Sequence, residues 1–313
     1  MSRPGGQQIR RFGLVAIAVA LVVAGAGCAS SGGTASPPGT LRVVASFYPL
    51  QYAAQRVGGA FVSVRNLTPV GAEPHDLELS AQDTANLEDA GLVVYLKGFS
   101  PAVDESVAAV AGGHALDVAT AANLDLRYTA IEGGQQASTS SIDPHFWLDP
   151  TRLAAVGDAI ARQLAARAPQ HAAAFIANAA ALRADLGVLD TEYRTGLAHC
   201  ANPDIVTSHN AFGYLAEHYG LRQIGISGLT PEDEPTPQQL ADAADFVRAN
   251  HVSTIYYETL VSPAIAKTVA NETGVKTAVL DPIEGLSSTS QGADYLAVMR
   301  SNLASLRAGQ GCT

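Results

Sequence analysis

Three histidines and an aspartate in this chain are of the residue types that bind transition metals. They are His75 in GAEPHDLELS, His145 in DPHFWLDP, His209 in VTSHNAFGYL and Asp281 in VLDPIEGL. Three imidazole nitrogens and one carboxylate suit Zn²⁺ in tetrahedral geometry, and they suit Mn²⁺ less well. Glu258 ends an apolar run between His209 and Asp281, which makes it a further acidic candidate.

The elements that would position these residues follow from the apolar pattern, which predicts an α/β fold. Strands are predicted at 41–47, 61–67, 92–96 and 115–118, and again at 204–207, 223–226, 254–258 and 276–280. Helices are predicted at 50–57, 102–111, 151–167, 212–219, 236–250, 262–273 and 292–308. A further helix is predicted to begin at a capping box at Ser80. Strands alternating with helices imply parallel sheets, whose ligands bind beyond the carboxyl ends of the strands.

Position alone leaves two readings open. A single histidine after a strand is commonly a surface or capping residue. Asp281 precedes a proline and could begin a turn, and Glu258 could be a salt-bridge partner. Four such residues beside strand ends, divided between the two halves of the chain, argue against coincidence, but spacing alone leaves both readings open.

An alanine-rich run from Pro169 to His199 separates the two halves. Its apolar residues recur in steps of three and four, which predicts one face of a long helix. About thirty helical residues would extend roughly 45 Å. We therefore predict a rigid helix at 169–199 that joins an α/β lobe at 41–168 to another at 200–313, each with a roughly four-stranded parallel sheet. A long core helix inside one large domain is the alternative.

The N-terminus predicts export. Residues 1–27 combine a basic start with an apolar run that is too short to span a membrane and ends in small residues before Cys28. The segment resembles a lipoprotein signal with Cys28 as the acylated residue, although Gly25 stands where leucine is usual. A plain secretory signal is the alternative. Residues 28–40 are then a Ser/Gly/Pro-rich tether.

Charge excludes two classes of partner. Removal of residues 1–27 takes away three arginines and no acids, which leaves 16 basic and 29 acidic residues and a net charge of −13. A chain this acidic is a poor nucleic-acid binder and has no polybasic patch for anionic lipid.

Two cysteines remain if Cys28 carries lipid. Cys200 and Cys312 would be exposed to an oxidising compartment, where a disulfide would fix the C-terminal tail to the end of the long helix. Two free thiols are the alternative, and we favour the disulfide.

The motifs together resemble the substrate-binding lipoproteins of ABC importers for zinc and manganese, the cluster A-I metal receptors. The resemblance covers nearly all of the mature chain and is carried by VVASFYPLQYAAQRVGG, GAEPHDLELSAQD, DPHFWLDP, TSHNAFGYLAEHYGL, GLTPEDEPTPQQL and LDPIEGL. It implies two α/β lobes bridged by one long helix, with the metal held in the cleft by His75, His145, His209 and Asp281. Glu258 is followed by Thr259 where the family usually has proline, so we interpret it as a partner of a ligand.

The resemblance also implies a function. The chain would be an extracytoplasmic receptor, lipid-anchored and monomeric, that captures Zn²⁺ and delivers it to an importer's permease. Zinc is favoured because the third ligand is His209, where manganese receptors tend to have glutamate. The 123–142 loop is polar and is predicted to be mobile, but it lacks the histidines of many zinc receptors. The other five histidines, at 114, 171, 199, 218 and 251, are interpreted as structural.

Three alternatives remain at this point. A manganese receptor would use the same site. A secreted zinc hydrolase would need an open coordination position and a general base, for which Glu73 or Glu258 could serve, but the sequence has no H-E-x-x-H motif. A lipoprotein for adhesion or metal storage is the third. We predict no enzymatic activity.

Overall fold

The computed structural model describes residues 39–128 and 141–313, together with the backbone of 131–132 and 135–136. The signal segment, Cys28 and nearly all of the tether lie outside the described residues. The strands are β1 Leu41–Ala45, β2 Val62–Asn66, β3 Leu92–Tyr95, β4 Ala115–Asp117, β5 Arg127–Tyr128, β6 Ile131–Glu132, β7 Gln135–Gln136, β8 Ser141–Ile142, β9 Asp204–Thr207, β10 Arg222–Gly225, β11 Thr254–Tyr257 and β12 Lys276–Val279. The helices are α1 Tyr48–Gly58, α2 Ala81–Glu88, α3 Pro101–Ser106, α4 Ala119–Ala122, α5 Pro150–Arg167, α6 Ala172–Gly196, α7 Gly213–Tyr219, α8 Pro237–Ala249, α9 Ala264–Thr273 and α10 Tyr295–Gln310.

Two parallel sheets form the lobes, and they share one topology. The first has the order β2-β1-β3-β4 and the second the order β10-β9-β11-β12, with every neighbouring pair parallel. The predicted fold class is confirmed. In both sheets the order reverses beside the first strand, and this reversal opens a crevice at the carboxyl ends of the strands.

Local sequence signals account for several helix starts. Ser80 and Asp83 form the predicted capping box at the start of α2, and Thr236 and Gln239 form another at α8. The predicted helix at 102–111 consists of α3 followed by a wider turn at 107–111. The four-residue helix α4 was not predicted, because its length is too short for a helical period to be visible.

The long helix lies between the lobes. A short 3₁₀ turn at Pro169–His171 leads into α6, which ends at Gly196 rather than at His199. Its buried residues are those of the predicted apolar face, namely Phe175, Ala179, Leu182, Leu186, Leu189 and Tyr193. Length and composition would also let Pro169–Gly196 cross a membrane, a property that core helices of soluble proteins share.

One apolar core extends through both lobes. Val43 of β1, Leu164 of α5, Leu186 of α6 and Tyr256 of β11 belong to the same contiguous cluster of buried side chains. The long helix is therefore a bridge and a core helix at once. Because close-packed interiors resist deformation, this arrangement permits only small relative movements of the lobes.

A disulfide joins Cys200 to Cys312, as we favoured from the sequence. It connects the segment after α6 to the chain end after α10. The backbone amide of Thr313 also donates to the carbonyl of His199 at 3.0 Å. These contacts hold the C-terminal tail against the long helix.

The polar stretch at 123–142 contains short antiparallel pairings. Arg127 and Tyr128 pair with Ile142 and Ser141, and β6 pairs with β7. The prediction that this stretch is mobile falls largely outside the described residues.

Candidate metal centre

The loops that follow several strands converge on one point between the lobes. His209 follows β9 and Glu284 lies five residues beyond the end of β12, while His75 lies in the connection from β2 to α2. His145 comes from the loop before α5. This is the position that the parallel topology predicts for a ligand.

Four side chains meet there, namely His75, His145, His209 and Glu284. One potential ligand atom from each lies within 4.8 Å of the others, and all four residues are buried. The Nε2 atoms of the three imidazoles and both carboxylate oxygens of Glu284 have no hydrogen-bond partner. Buried polar atoms are rarely left without partners, so these atoms face a common occupant.

The spacing of the group fits a tetrahedral metal. Oε1 of Glu284 lies 3.5 Å from Nε2 of His75, 3.2 Å from Nε2 of His145 and 3.3 Å from Nε2 of His209. Ligand atoms at about 2.0–2.1 Å from a tetrahedral Zn²⁺ are separated by about 3.3 Å. The donor set of three nitrogens and one oxygen therefore suits zinc in both chemistry and geometry.

Buried carboxylates fix the orientation of two of the imidazoles. Nδ1 of His145 donates to Oδ1 of Asp143 at 2.8 Å, and Nδ1 of His209 donates to Oε1 of Glu258 at 2.8 Å. With the proton held at Nδ1, the lone pair of Nε2 points into the site. Glu258 thus contacts a histidine rather than the centre of the cluster, which is the arrangement we interpreted from the sequence.

His75 is positioned differently. Its ring packs against Phe99 with a centroid separation of 4.3 Å, and its backbone amide donates to Oε2 of Glu73 at 2.8 Å. Oε1 of Glu73 is buried without a hydrogen-bond partner and lies 4.0 Å from Nε2 of His75. Burial, together with the nearby carboxylate of Glu284, raises the pKa of Glu73 to about 10.

An acid-proline-histidine pattern builds both ligand loops of the first lobe. In Glu73-Pro74-His75 and in Asp143-Pro144-His145 the acid accepts the backbone N–H of the histidine two residues later. Such local turns hold the imidazole rigidly. The sequence analysis did not identify Asp143, although this repeated spacing was the signal that could have revealed it.

The charges of Glu284 and the three histidines shift one another's pKa values. Burial alone would raise the pKa of Glu284, but the three imidazoles outweigh it and hold that pKa well below its usual value. Burial alone would lower the pKa of His145 and His209, yet their carboxylate partners raise both. Burial lowers the pKa of His75. The metal-free site therefore combines one ionised carboxylate with two imidazoles that bind protons readily.

Asp281, the predicted fourth ligand, is not in the group. Oδ1 accepts the amide of Ile283 at 2.8 Å and Oδ2 accepts the hydroxyl of Thr259 at 2.8 Å. These bonds shape a tight turn in which Ile283 has a φ of 58°, an uncommon conformation for a β-branched residue. The turn directs Glu284 into the site, so Glu284 replaces Asp281 in the cluster.

The five remaining histidines lie outside the group. Nε2 of His114 lies 2.8 Å from the carbonyl of Leu87, and His171 stacks on Phe61. His218 lies 3.0 Å from Asp149 and 2.9 Å from Asp190. These contacts give His114, His171 and His218 partners within the fold, and the structural roles of His199 and His251 stay predictions.

A family model named ZnuA, described as the periplasmic component A of the zinc-uptake complex, matches residues 43–309. The chain belongs to the ZnuA family. The resemblance stated from the motifs is thereby confirmed. ZnuA proteins are periplasmic metal-binding receptors and not enzymes, which removes the alternative of a secreted zinc hydrolase.

Curated relatives of this ZnuA-family chain carry zinc in their names. The high-affinity zinc uptake system protein ZnuA of Bacillus subtilis (strain 168) is 34% identical, with 94% of this chain and 96% of that protein covered. The zinc-binding lipoprotein AdcA of Streptococcus pneumoniae serotype 4 is 34% identical, with 86% of this chain covered. The chain spans only 56% of the length of AdcA.

Solved structures share the fold. The Zn(II)-bound ZnuA-like domain of Streptococcus pneumoniae AdcA has a TM-score of 0.71 at 34% identity and covers 87% of this chain and 99% of that domain. The laminin-binding protein Lmb of Streptococcus agalactiae, described as having adhesin and metal-transporting activity, has a TM-score of 0.73 at 32% identity. The match covers 86% of this chain and 99% of Lmb.

Proposed function

We propose that this chain is an extracytoplasmic receptor that captures Zn²⁺ between its lobes, at 41–168 and 200–313, and delivers it to the permease of an ABC importer. The observation that carries this proposal is the set of four buried ligand atoms, of His75, His145, His209 and Glu284, that face one another without other partners. The zinc-binding names of the relatives support the identity of the ion.

Zinc is the preferred cargo because of the donor set. Imidazole nitrogen suits Zn²⁺, whereas Mn²⁺ favours carboxylate, carbonyl and water oxygens in octahedral surroundings. Four protein ligands complete a tetrahedron and leave no position for a reactive water. The site therefore holds the ion without performing chemistry on it.

Release of the ion requires that the four ligands separate. The histidines at 75 and 145 belong to the first lobe, and His209 and Glu284 belong to the second. A small rotation of the lobes divides the ligand set in two, and the shared core keeps that rotation small. We propose that contact of both lobes with the permease drives this separation.

A competition titration tests the cargo. The purified, metal-stripped chain is titrated with Zn²⁺ and Mn²⁺, and bound metal is counted by mass spectrometry. We expect one zinc per chain that excess manganese does not displace, and we expect loss of binding in His145→Ala but not in the control His199→Ala. Preference for manganese, or no bound metal, would overturn the proposal.

Delivery is tested in cells that lack the gene for this chain. We expect slow growth under zinc chelation, restored by the native gene but not by the gene encoding Glu284→Gln. Normal zinc uptake in the deletion strain would contradict the role in import.

Membrane attachment rests on Cys28, which we propose carries the lipid in an otherwise monomeric protein. Cys28→Ser is expected to release the chain into the medium, and light scattering of the released chain is expected to give the monomer mass. Continued membrane association of the Cys28→Ser variant would contradict the anchor.

A further inference from the structure

A cavity opens beside the metal centre. Its volume is about 550 Å³, and it is lined by His75 and Phe99 of the first lobe and by Ser227, Asp233 and Glu234 of the second. His75 is only 6% exposed, and its Nε2 has no hydrogen-bond partner. The same imidazole thus belongs to the buried ligand group and to the wall of this cavity, so the cavity is a route from solvent to the site.

Three exposed carboxylates line this cavity, those of Asp76, Asp233 and Glu234, and the exposed Glu232 is the chain neighbour of Asp233. We call these four carboxylates the acidic mouth. None of the four forms an ion pair with a lysine or arginine among the described residues, and no lysine or arginine lines the described cavity wall. Burial raises the pKa of the Tyr128 phenol, and the negative charge of the nearby Asp233 raises it as well. The charge of the acidic mouth is therefore uncompensated locally.

Acidic side chains also lie between the cavity wall and the buried ligands. Partial burial raises the pKa of Glu232, and the carboxylates of Asp76, Glu284 and Glu258 raise it further. Glu73 stands two residues before His75, and its unpartnered Oε1 lies 4.0 Å from Nε2 of that histidine. Acidic side chains are thus found at the surface, beside His75 and at the fully buried Glu284, which lies 3.5 Å from Nε2 of His75.

We propose that the cavity with its acidic mouth is an outer capture site for hydrated Zn²⁺, from which the ion passes to His75 and then to the buried ligand set. This proposal rests on the proposed function. Exposed carboxylates in water bind a hydrated divalent cation weakly, so the outer site acts on the association rate. A cleft lined by one sign of charge concentrates the field and raises the local concentration of the opposite ion.

The test compares the native chain with Glu232→Gln/Asp233→Asn/Glu234→Gln. No hydrogen bond or ion pair among the described residues joins these three to the four ligands, and the substitutions conserve side-chain size. The matched control is Glu88→Gln/Glu105→Gln/Glu272→Gln, which removes the same charge from exposed positions on α2, α3 and α9. Thermal melts of the three metal-free proteins show whether each variant folds.

Association and dissociation of Zn²⁺ are measured by stopped flow against a chromophoric chelator. We expect the association rate of the mouth variant to fall about tenfold at low salt, with an unchanged dissociation rate. The difference in association rate between the native chain and the mouth variant should vanish at high salt, because the Debye length falls from ~30 Å at 0.01 M salt to ~3 Å at 1 M. The control variant should associate within about twofold of the native rate, as its charges lie away from the cavity.

Three results would overturn the capture site. They are equal association rates of the native and mouth variants, an equal fall in the control, or a faster dissociation from the mouth variant. In each of these cases tight zinc binding by the native chain would leave the proposed function intact. A native chain that binds no zinc would instead refute both proposals.

Discussion

The indole Nε1–H of Trp147 donates to the carbonyl oxygen of Pro282 at 2.7 Å. The two residues lie 135 positions apart, and each stands two positions from a proposed ligand, His145 and Glu284. The backbone carbonyl of Trp147 accepts the hydroxyl of Tyr295 at 2.5 Å. The loop that carries His145 in the first lobe is thus hydrogen-bonded directly to the turn that carries Glu284 in the second lobe.

Trp147→Phe is expected to lower zinc affinity about tenfold. The substitution keeps an aromatic ring but leaves a buried carbonyl without its donor, which costs about 1–3 kcal/mol. Phe146→Leu is the control, because it removes volume from the neighbouring fully buried residue without breaking the bond. Isothermal titration calorimetry should give weaker binding for the first variant only, whereas equal losses would attribute the effect to core packing.

Glu284→Gln and Asp281→Asn should differ sharply. Among the described residues, Glu284 has the one carboxylate that faces all three imidazoles, so we expect Glu284→Gln to lower affinity at least about 100-fold. Asp281→Asn keeps an oxygen for the amide of Ile283 and only weakens the turn, so we expect a loss of about tenfold. Competition with a chelator of known affinity provides the measurement, and the reverse order would restore Asp281 as the ligand.

Zinc binding should release protons at neutral pH. Hydrogen bonds to carboxylates raise the pKa of His145 and His209 above the usual value of about 6.5. Both imidazoles must be deprotonated to bind zinc, so affinity should fall with decreasing pH from above pH 6.5, with release of about one to two protons. Calorimetry in two buffers of different ionisation enthalpy counts the protons, and identical heats in both would contradict the prediction.

The same pKa shifts should act on the metal-free protein with the opposite sign. A histidine whose folded pKa is raised contributes stability that is complete below its unfolded pKa and is lost as the pH rises through its folded pKa. In the range above pH 6.5, the metal-free protein should therefore lose stability as the pH rises, while zinc binding becomes stronger. The asparagine in His209→Asn cannot titrate, so thermal melts of this variant should show a weaker dependence of stability on pH than those of the native chain.

Reduction of the Cys200–Cys312 disulfide should weaken the fold but not the site. The bond closes a loop with a sequence separation of 112, and disulfides typically contribute about 2–4 kcal/mol to the free energy of unfolding. Cys200 precedes the amino end of β9, whereas His209 follows its carboxyl end, so the disulfide and the metal centre lie at opposite ends of this strand. We expect Cys200→Ser/Cys312→Ser to lower the urea midpoint and leave zinc affinity within about threefold, and a large affinity loss would contradict this separation.

Most of the architecture was determined by sequence features that act locally. Apolar runs and capping residues predicted the eight main strands within two residues at either end, since these signals depend on near neighbours. The strand-end rule and the motifs then brought His75, His145 and His209 to one place, because the carboxyl ends of parallel strands share one edge of a sheet.

The identity of the acidic member of the cluster was decided only by the tertiary structure. Asp281 and Glu284 both follow β12, and sequence position favours the residue nearer the strand. The direction of each side chain depends on the turn at Ile283, which has a φ of 58° and whose backbone N–H donates to Oδ1 of Asp281. Since that conformation is sustained by contacts from Thr259 and Asn302, distant in the chain, no local pattern could reveal that Glu284 faces the imidazoles.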